Sequence, residues 1–165
     1  MNAMDILKYG QGTVLQSIEG IGKDEWDLQG ACGVWSMKDI VAHLASYERL
    51  LEDILGSLLG ADATPHLDRF KAGAAFNDAE VEARRTASVQ QVLDEFAASH
   101  ERSLALLARI PEERRRQPGT LPWYGAEYAL DDVIVYMYYG HKREHSAQVA
   151  AFRDRLKAAS PAAVR

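Results

Sequence analysis

Residues 129–158 read ALDDVIVYMYYGHKREHSAQVAAFRDRLKA, a long run without proline. At about 100° per residue its apolar side chains recur on one side of a helix. Leu130, Ile134, Met137, Tyr138, Phe152 and Leu156 define that inner arc. Asp131 and Asp132 stand in the first turn and Arg153, Arg155 and Lys157 near the end, as the helix dipole favours. The pattern predicts a helix over Ala129–Ala158. His141 and His145 fall in the middle of the arc with Gln148 beside them, while Lys142, Arg143, Ser146 and Arg153 point away. Two imidazoles one turn apart in an apolar stripe need partners. A shared metal ion is the partner this pair points to.

Working outward, the five prolines (Pro65, Pro111, Pro118, Pro122 and Pro161) leave three long stretches in which helices can run. Helix 1 is expected over Met4–Ile21, with Leu7, Val14, Ile18 and Ile21 inward, although Gly10 and Gly12 weaken it. Ser36 and Asp39 form a capping-box pattern that opens helix 2, which runs to about Leu59. Asn77 is expected to cap a short helix ending near Thr86, and Ser88 to cap helix 3, which continues to Ile110. A loop over Pro111–Ala126 precedes the last helix. Four long helices, each with one apolar face, predict an all-α four-helix bundle and a single domain over residues 1–165. The second and third connections are long enough for a crossover.

Composition narrows the function classes. Of 165 residues, 47% are hydrophobic and 26% charged, which suits a globular domain with a core of its own. The formal net charge of −5 and the lack of a basic face argue against nucleic acid and against an anionic membrane surface. The one basic cluster, Arg114 to Arg116, follows Glu112 and Glu113 and reads as a solvated turn. No apolar run approaches a membrane span, and the opening MNAMDILKYG lacks a signal-peptide core, so a cytoplasmic location is expected. Cys32 is the only cysteine, so no internal disulfide can form. A single cysteine is more often a small buried hydrophobe than a nucleophile.

Helix 2 offers a third histidine. His43 lies on an arc with Ile40, Leu44, Tyr47, Leu51, Ile54 and Leu58. His100 is a rival, on an arc of helix 3 with Phe96, Leu104 and Leu107, and spacing alone does not choose between them. A lone inner histidine is usually a hydrogen-bonded core residue. A pair with a third candidate favours three neutral nitrogens around a divalent ion with open positions. His141 to His145 also matches H-x-x-E-H of inverted zinc peptidases, with Glu144 at the margin of the arc, but a small bundle has no peptide-binding strand. His66 falls in a loop and is given no role.

The segment Trp35-Ser-Met-Lys-Asp39-Ile-Val-Ala-His43-Leu44, followed by Gly140-His141-x-x-x-His145-x-x-Gln148, resembles the DinB/YfiT-like superfamily of metalloenzymes. The likeness covers nearly the whole chain in the order and length of its helices. Leu121-Pro-Trp123-Tyr124 is also similar to the ClbS/DfsB-type branch. The resemblance implies a four-helix bundle of unusual connectivity, a homodimer, and a three-histidine site of His43, His141 and His145. It leaves His100 as a core or lining group. Relatives include enzymes that use low-molecular-weight thiols, such as mycothiol-dependent maleylpyruvate isomerase and bacillithiol S-transferases.

These readings lead to a metal-dependent enzyme, a hydrolase or thiol-dependent transferase, acting on a small electrophile. Zinc is the default ion, and nickel, iron or manganese suits the same nitrogen set. Glu144 or Tyr47 can move protons, though each also reads as a helix-margin residue. Gln148 can orient a ligand. Trp35, Trp123 and Tyr124 stand in the connections into helices 2 and 4, where they either wall a pocket or plug the end of the bundle. The competing readings are a non-catalytic small-molecule-binding protein of a stress or self-protection system, and an inert bundle whose histidines only hydrogen-bond.

Overall fold

The structure is a computed structural model that describes residues 2–73 and 75–159; Pro161 lies outside the described residues. The chain is mostly helical. Four long rods dominate: α1 (Ala3–Ile18), α2 (Met37–Leu58), α5 (Val89–Ala108) and a last rod. That rod comprises α7 (Leu130–Val133), a π-helical segment (Ile134–Gly140) and α8 (His141–Ala159). Two short helices, α3 (Pro65–Ala72) and α4 (Phe76–Glu82), fill the connection from α2 to α5, and α6 (Glu112–Arg115) lies in the next. A hairpin of β1 (Gln29–Cys32) and β2 (Trp35–Ser36) precedes α2.

Local chemistry accounts for the ends of these elements. The Ser36 hydroxyl accepts from the Asp39 amide at 3.1 Å and the Asp39 carboxylate accepts from the Ser36 amide at 3.0 Å, the expected capping box. Ser88 and Gln91 make the same reciprocal pair for α5. Gly33, at φ 57°, opens the two-residue turn of the hairpin, a conformation that glycine adopts without a Cβ clash.

Several expectations are corrected. Helix 1 ends at Ile18 rather than Ile21, because the chain turns at Gly20 with φ 71°. Asn77 is not a cap: α4 starts one residue earlier, behind Ala75, and ends at Glu82 rather than near Thr86. His66 is not in a loop. Proline at the first position of α3 is pre-set for a helix start, and Asp53 of α2 caps it by accepting from the amides of His66 (2.6 Å) and Leu67 (3.2 Å). The His66 ring lies 3.7 Å from Glu80, which also binds Arg69 and Arg84. The last helix is not a uniform α-helix. Lys142 and Ser146, expected to point away, are buried.

Two apolar clusters form the core. The first gathers Leu7 of α1, Leu51 and Ile54 of α2, Leu107 of α5, and Leu130, Ile134 and Tyr138 of the last rod. The second gathers Val14 and Ile18, Ile40 and Leu44, Val92 and Phe96, and Val149 and Phe152 from the same four rods. α1 and the last rod therefore run from the first cluster to the second, while α2 and α5 run the other way. Cross-contacts agree with this: Glu48 meets His100 and Glu52 meets Arg102, while Gln11 meets Lys142 and Ser17 meets Arg153. α2 and α5 are thus a parallel pair, and so are α1 and α8. The long second connection carries the chain back between α2 and α5.

Between the clusters every rod contributes buried polar residues: Gln11 from α1; His43, Ser46 and Glu48 from α2; Ser99, His100 and Ser103 from α5; Lys142, His145 and Ser146 from α8. The candidate site lies in this polar layer. Among the described residues, no helix is long and apolar enough to cross a membrane.

Candidate metal centre

His43 projects from α2, one turn beyond the capping box, and His141 and His145 project from the first two turns of α8. The Nε2 atoms of His43 and His141 are 2.8 Å apart, and those of His145 and His141 are 2.9 Å apart. One ring nitrogen from each of the three residues lies within 4.8 Å of the others. His43 and His145 are buried, and His141 is half-buried.

Proton accounting shows what this cluster lacks. Gln148 Oε1 lies 2.8 Å from His145 Nδ1, so the proton of His145 belongs on Nδ1 and its Nε2 presents a lone pair. His141 Nε2 carries either one proton or one lone pair. With a proton, it divides a single hydrogen between two acceptors. With a lone pair, it faces that of His145 at 2.9 Å. No tautomer satisfies both contacts, whereas a cation that accepts all three lone pairs does. The residues fit a divalent metal ion on this ground.

Their charge state agrees. Burial, reinforced by the neighbouring imidazoles, pushes His43 down to about 2. Burial and then His145 and Lys142 push His141 down to about 3. Burial also lowers His145, against the opposing pull of Gln148 and Glu144. All three rings are neutral near pH 7, the form that binds metal.

Aromatic rings surround the cluster. The Trp35 ring, delivered by the hairpin, lies 4.9 Å from that of His43. Tyr47 lies 4.4 Å from His141 and 4.8 Å from His43. Behind Tyr47, a cavity of about 230 Å³ is lined by Phe70, Phe76 and Asn77, with the Tyr47 hydroxyl 3.4 Å from Asn77 Oδ1. Phe70 continues the aromatic chain to Trp123 at 6.1 Å, and Trp123 to Tyr124 at 6.0 Å. Burial raises the Tyr47 hydroxyl, which stays a phenol.

The structure thus brings together His43, His141, His145, Gln148, Trp35 and Tyr47. Trp123 and Tyr124 stand farther out along the aromatic chain. Glu144 is on the exposed face of α8, and Cys32 is partly buried beside the second apolar cluster. His100 turns to Glu48, with its Nδ1 3.4 Å from Oε2. Sequence reasoning missed Glu48 and Lys142, which form an ion pair at the centre of the polar layer. The signal was present: Glu48 falls between Leu44 and Leu51, and Lys142 between Tyr138 and His145, each at core spacing.

Residues 13–135 match the family model described as the mycothiol maleylpyruvate isomerase N-terminal domain. That span includes Trp35, His43, Tyr47, Trp123 and Tyr124 and stops short of His141 and His145. No curated protein and no solved structure gives a match. With most of its length covered, the chain belongs to the mycothiol maleylpyruvate isomerase N-terminal domain family, a DinB-like metal-binding family of the DinB/YfiT-like superfamily.

Proposed function

We propose that this protein is a metal-dependent enzyme, a thiol-dependent transferase or a hydrolase, that acts on a small electrophilic substrate. The observation that carries the reading is the set of three neutral imidazoles whose Nε2 contacts no tautomer satisfies. His43, His141 and His145 hold the ion, zinc by default, with nickel, iron or manganese suited to the same donors. When bound, such an ion supplies Lewis acidity that activates a water or a thiol and polarises an electrophile. Gln148 fixes the His145 ring by accepting its Nδ1 proton. Tyr47, between the histidines and the aromatic cavity, donates its phenolic proton to the departing group, and Glu144 accepts protons from the solvent side. Trp35 shields His43, while Trp123 and Tyr124 line the outer end of the substrate path.

The proposed co-substrate is a low-molecular-weight thiol, a reading whose support is the description of the matched family as a mycothiol maleylpyruvate isomerase domain. The likeness of Leu121 to Tyr124 to the ClbS/DfsB-type branch rests on that segment alone. The same proposal includes a single domain over residues 1–165 that folds as a four-helix bundle with a crossover. It also includes homodimerisation, a small-molecule substrate rather than nucleic acid or membrane, and a cytoplasmic location. Parallel α2 and α5 support the crossover.

The test is metal content followed by turnover. Protein purified without a histidine tag is expected to hold close to one divalent ion per chain, and His141→Ala to lose it with the fold intact. Thiol cofactors are then screened with electrophilic substrates. Turnover that depends on His141 supports the enzyme. The aromatic cavity also suits a non-catalytic binding protein, and His141→Ala that keeps full protective or binding activity favours that reading instead. Less than about a tenth of an ion per chain sinks the metal reading.

A further inference from the structure

The three proposed ligands do not share one helix pair. His43 belongs to the α2/α5 pair and His141 and His145 to the α1/α8 pair. α2 and α8 touch little directly, since α2 packs mainly on α5 and α8 mainly on α1. Something must set the height and rotation of one pair against the other, or the three nitrogens would not meet.

The buried ion pair has the right placement for this. Glu48 is fully buried, five residues beyond His43, and Lys142 is 2% exposed, adjacent to His141 and three residues before His145. The pair is braced by all four rods. Lys142 Nζ donates to Gln11 Oε1 of α1 at 3.3 Å, and the Glu48 carboxylate faces His100 of α5. Ser103 Oγ of α5 donates to the Glu48 carbonyl at 3.4 Å. α1 also makes room. A Cβ on Gly10 would meet the Lys142 stem at 3.2 Å, so the helix carries glycine where the lysine passes. The π-helical segment ends immediately before His141, so Lys142 and both histidines stand together on the first two turns of α8.

We propose that Glu48 and Lys142 are positioning residues for the metal centre: their ion pair joins the two helix pairs in the one register that brings His43 to His141 and His145. This rests on the metal-binding reading above. It adds that the site's affinity and geometry depend on two charged residues that do not touch the ion.

The test uses untagged, metal-free protein with cobalt(II) as the probe, reading both affinity and the visible absorption of the bound ion. The double variant Glu48→Gln/Lys142→Met removes both charges and keeps the volume. Replacing a buried pair in this way is often neutral for stability. Cobalt affinity is expected to fall at least about tenfold, with a changed visible band and unchanged far-ultraviolet circular dichroism. A double variant that binds cobalt with wild-type affinity and spectrum overturns the inference. If the double variant does not fold, Glu48→Asp serves instead. It keeps the charge, shortens the reach by one methylene, and is expected to shift the band; an unchanged band and affinity overturn the inference. Wild-type protein whose cobalt uptake is absent, or unaffected by His141→Ala, overturns the metal reading itself, and the inference with it.

Discussion

Two buried polar clusters lie side by side in this core, and they solve the same problem in opposite ways. Glu48, Lys142 and His100 bring together a carboxylate, an ammonium and an imidazole, so each charge is met from within the chain. Burial pushes the Glu48 carboxyl up, but Lys142 and His100 outweigh it and hold it below the usual carboxylate range. The three histidines bring together only bases. Beyond burial, His141 and His145 lower the proton affinity of His43 and His145 lowers that of His141, and none supplies what the others lack. A closed cluster stabilises a register, whereas an open one calls for a cation from outside.

The largest effect comes from breaking the closed cluster on one side. Lys142→Ala leaves Glu48 fully buried without its cation and is expected to cost about 3–5 kcal/mol of unfolding free energy. Urea denaturation monitored by circular dichroism measures this. A loss under about 1 kcal/mol would place Glu48 in contact with water and dissolve the contrast.

Acid breaks the open cluster. His43 and His141 titrate near 6.5 when unfolded but near 2 and 3 when folded, so below pH 6.5 the unfolded chain takes up protons that the native state refuses. Stability from this source is complete above pH 6.5 and is lost as pH falls toward 3. Between pH 7 and 5 the expected loss is about 2 kcal/mol for each histidine in metal-free protein. His43→Leu should flatten the slope of stability against pH in that window. An unchanged slope would mean that His43 is already solvated in the native state.

The same contrast explains what could be read from the sequence. Features set by neighbours along the chain were legible: the boxes at Ser36 and Ser88, and the adjacent-turn placement of His141 and His145. Features set by tertiary partners were not. Two helices each offered an inner histidine that spacing did not separate; the resemblance pointed to His43, and the physical reason is tertiary, His43 meeting His141 while His100 meets Glu48. Lys142 stands at core spacing, four residues after Tyr138 and three before His145, but the group that meets its ammonium, Glu48, belongs to another helix, which spacing along one helix does not show. The start of α3 had a local signal in Pro65, but its cap, Asp53, comes from another helix.

Gln148 tests how far the open cluster is pre-oriented. With the acceptor for His145 Nδ1 removed, Gln148→Leu frees the ring to change tautomer and turn. Metal affinity is expected to fall about tenfold, measured by competition with a chromophoric chelator. An unaltered affinity would show that packing against His43 and His141 alone holds the ring.

The smallest effect distinguishes two glycines of α1. Gly12 is exposed, and a Cβ added there would meet nothing within 4 Å, so Gly12→Ala carries only the helix-propensity gain, about 0.5–1 kcal/mol. Gly10 is buried, and its Cβ would press on the Lys142 stem at 3.2 Å. Gly10→Ala gains the same propensity and loses part or all of it by displacing the lysine from Glu48. Thermal melts of the two variants read the difference directly. If Gly10→Ala stabilises as much as Gly12→Ala, the lysine has room to spare, and the closed cluster is looser than its burial implies.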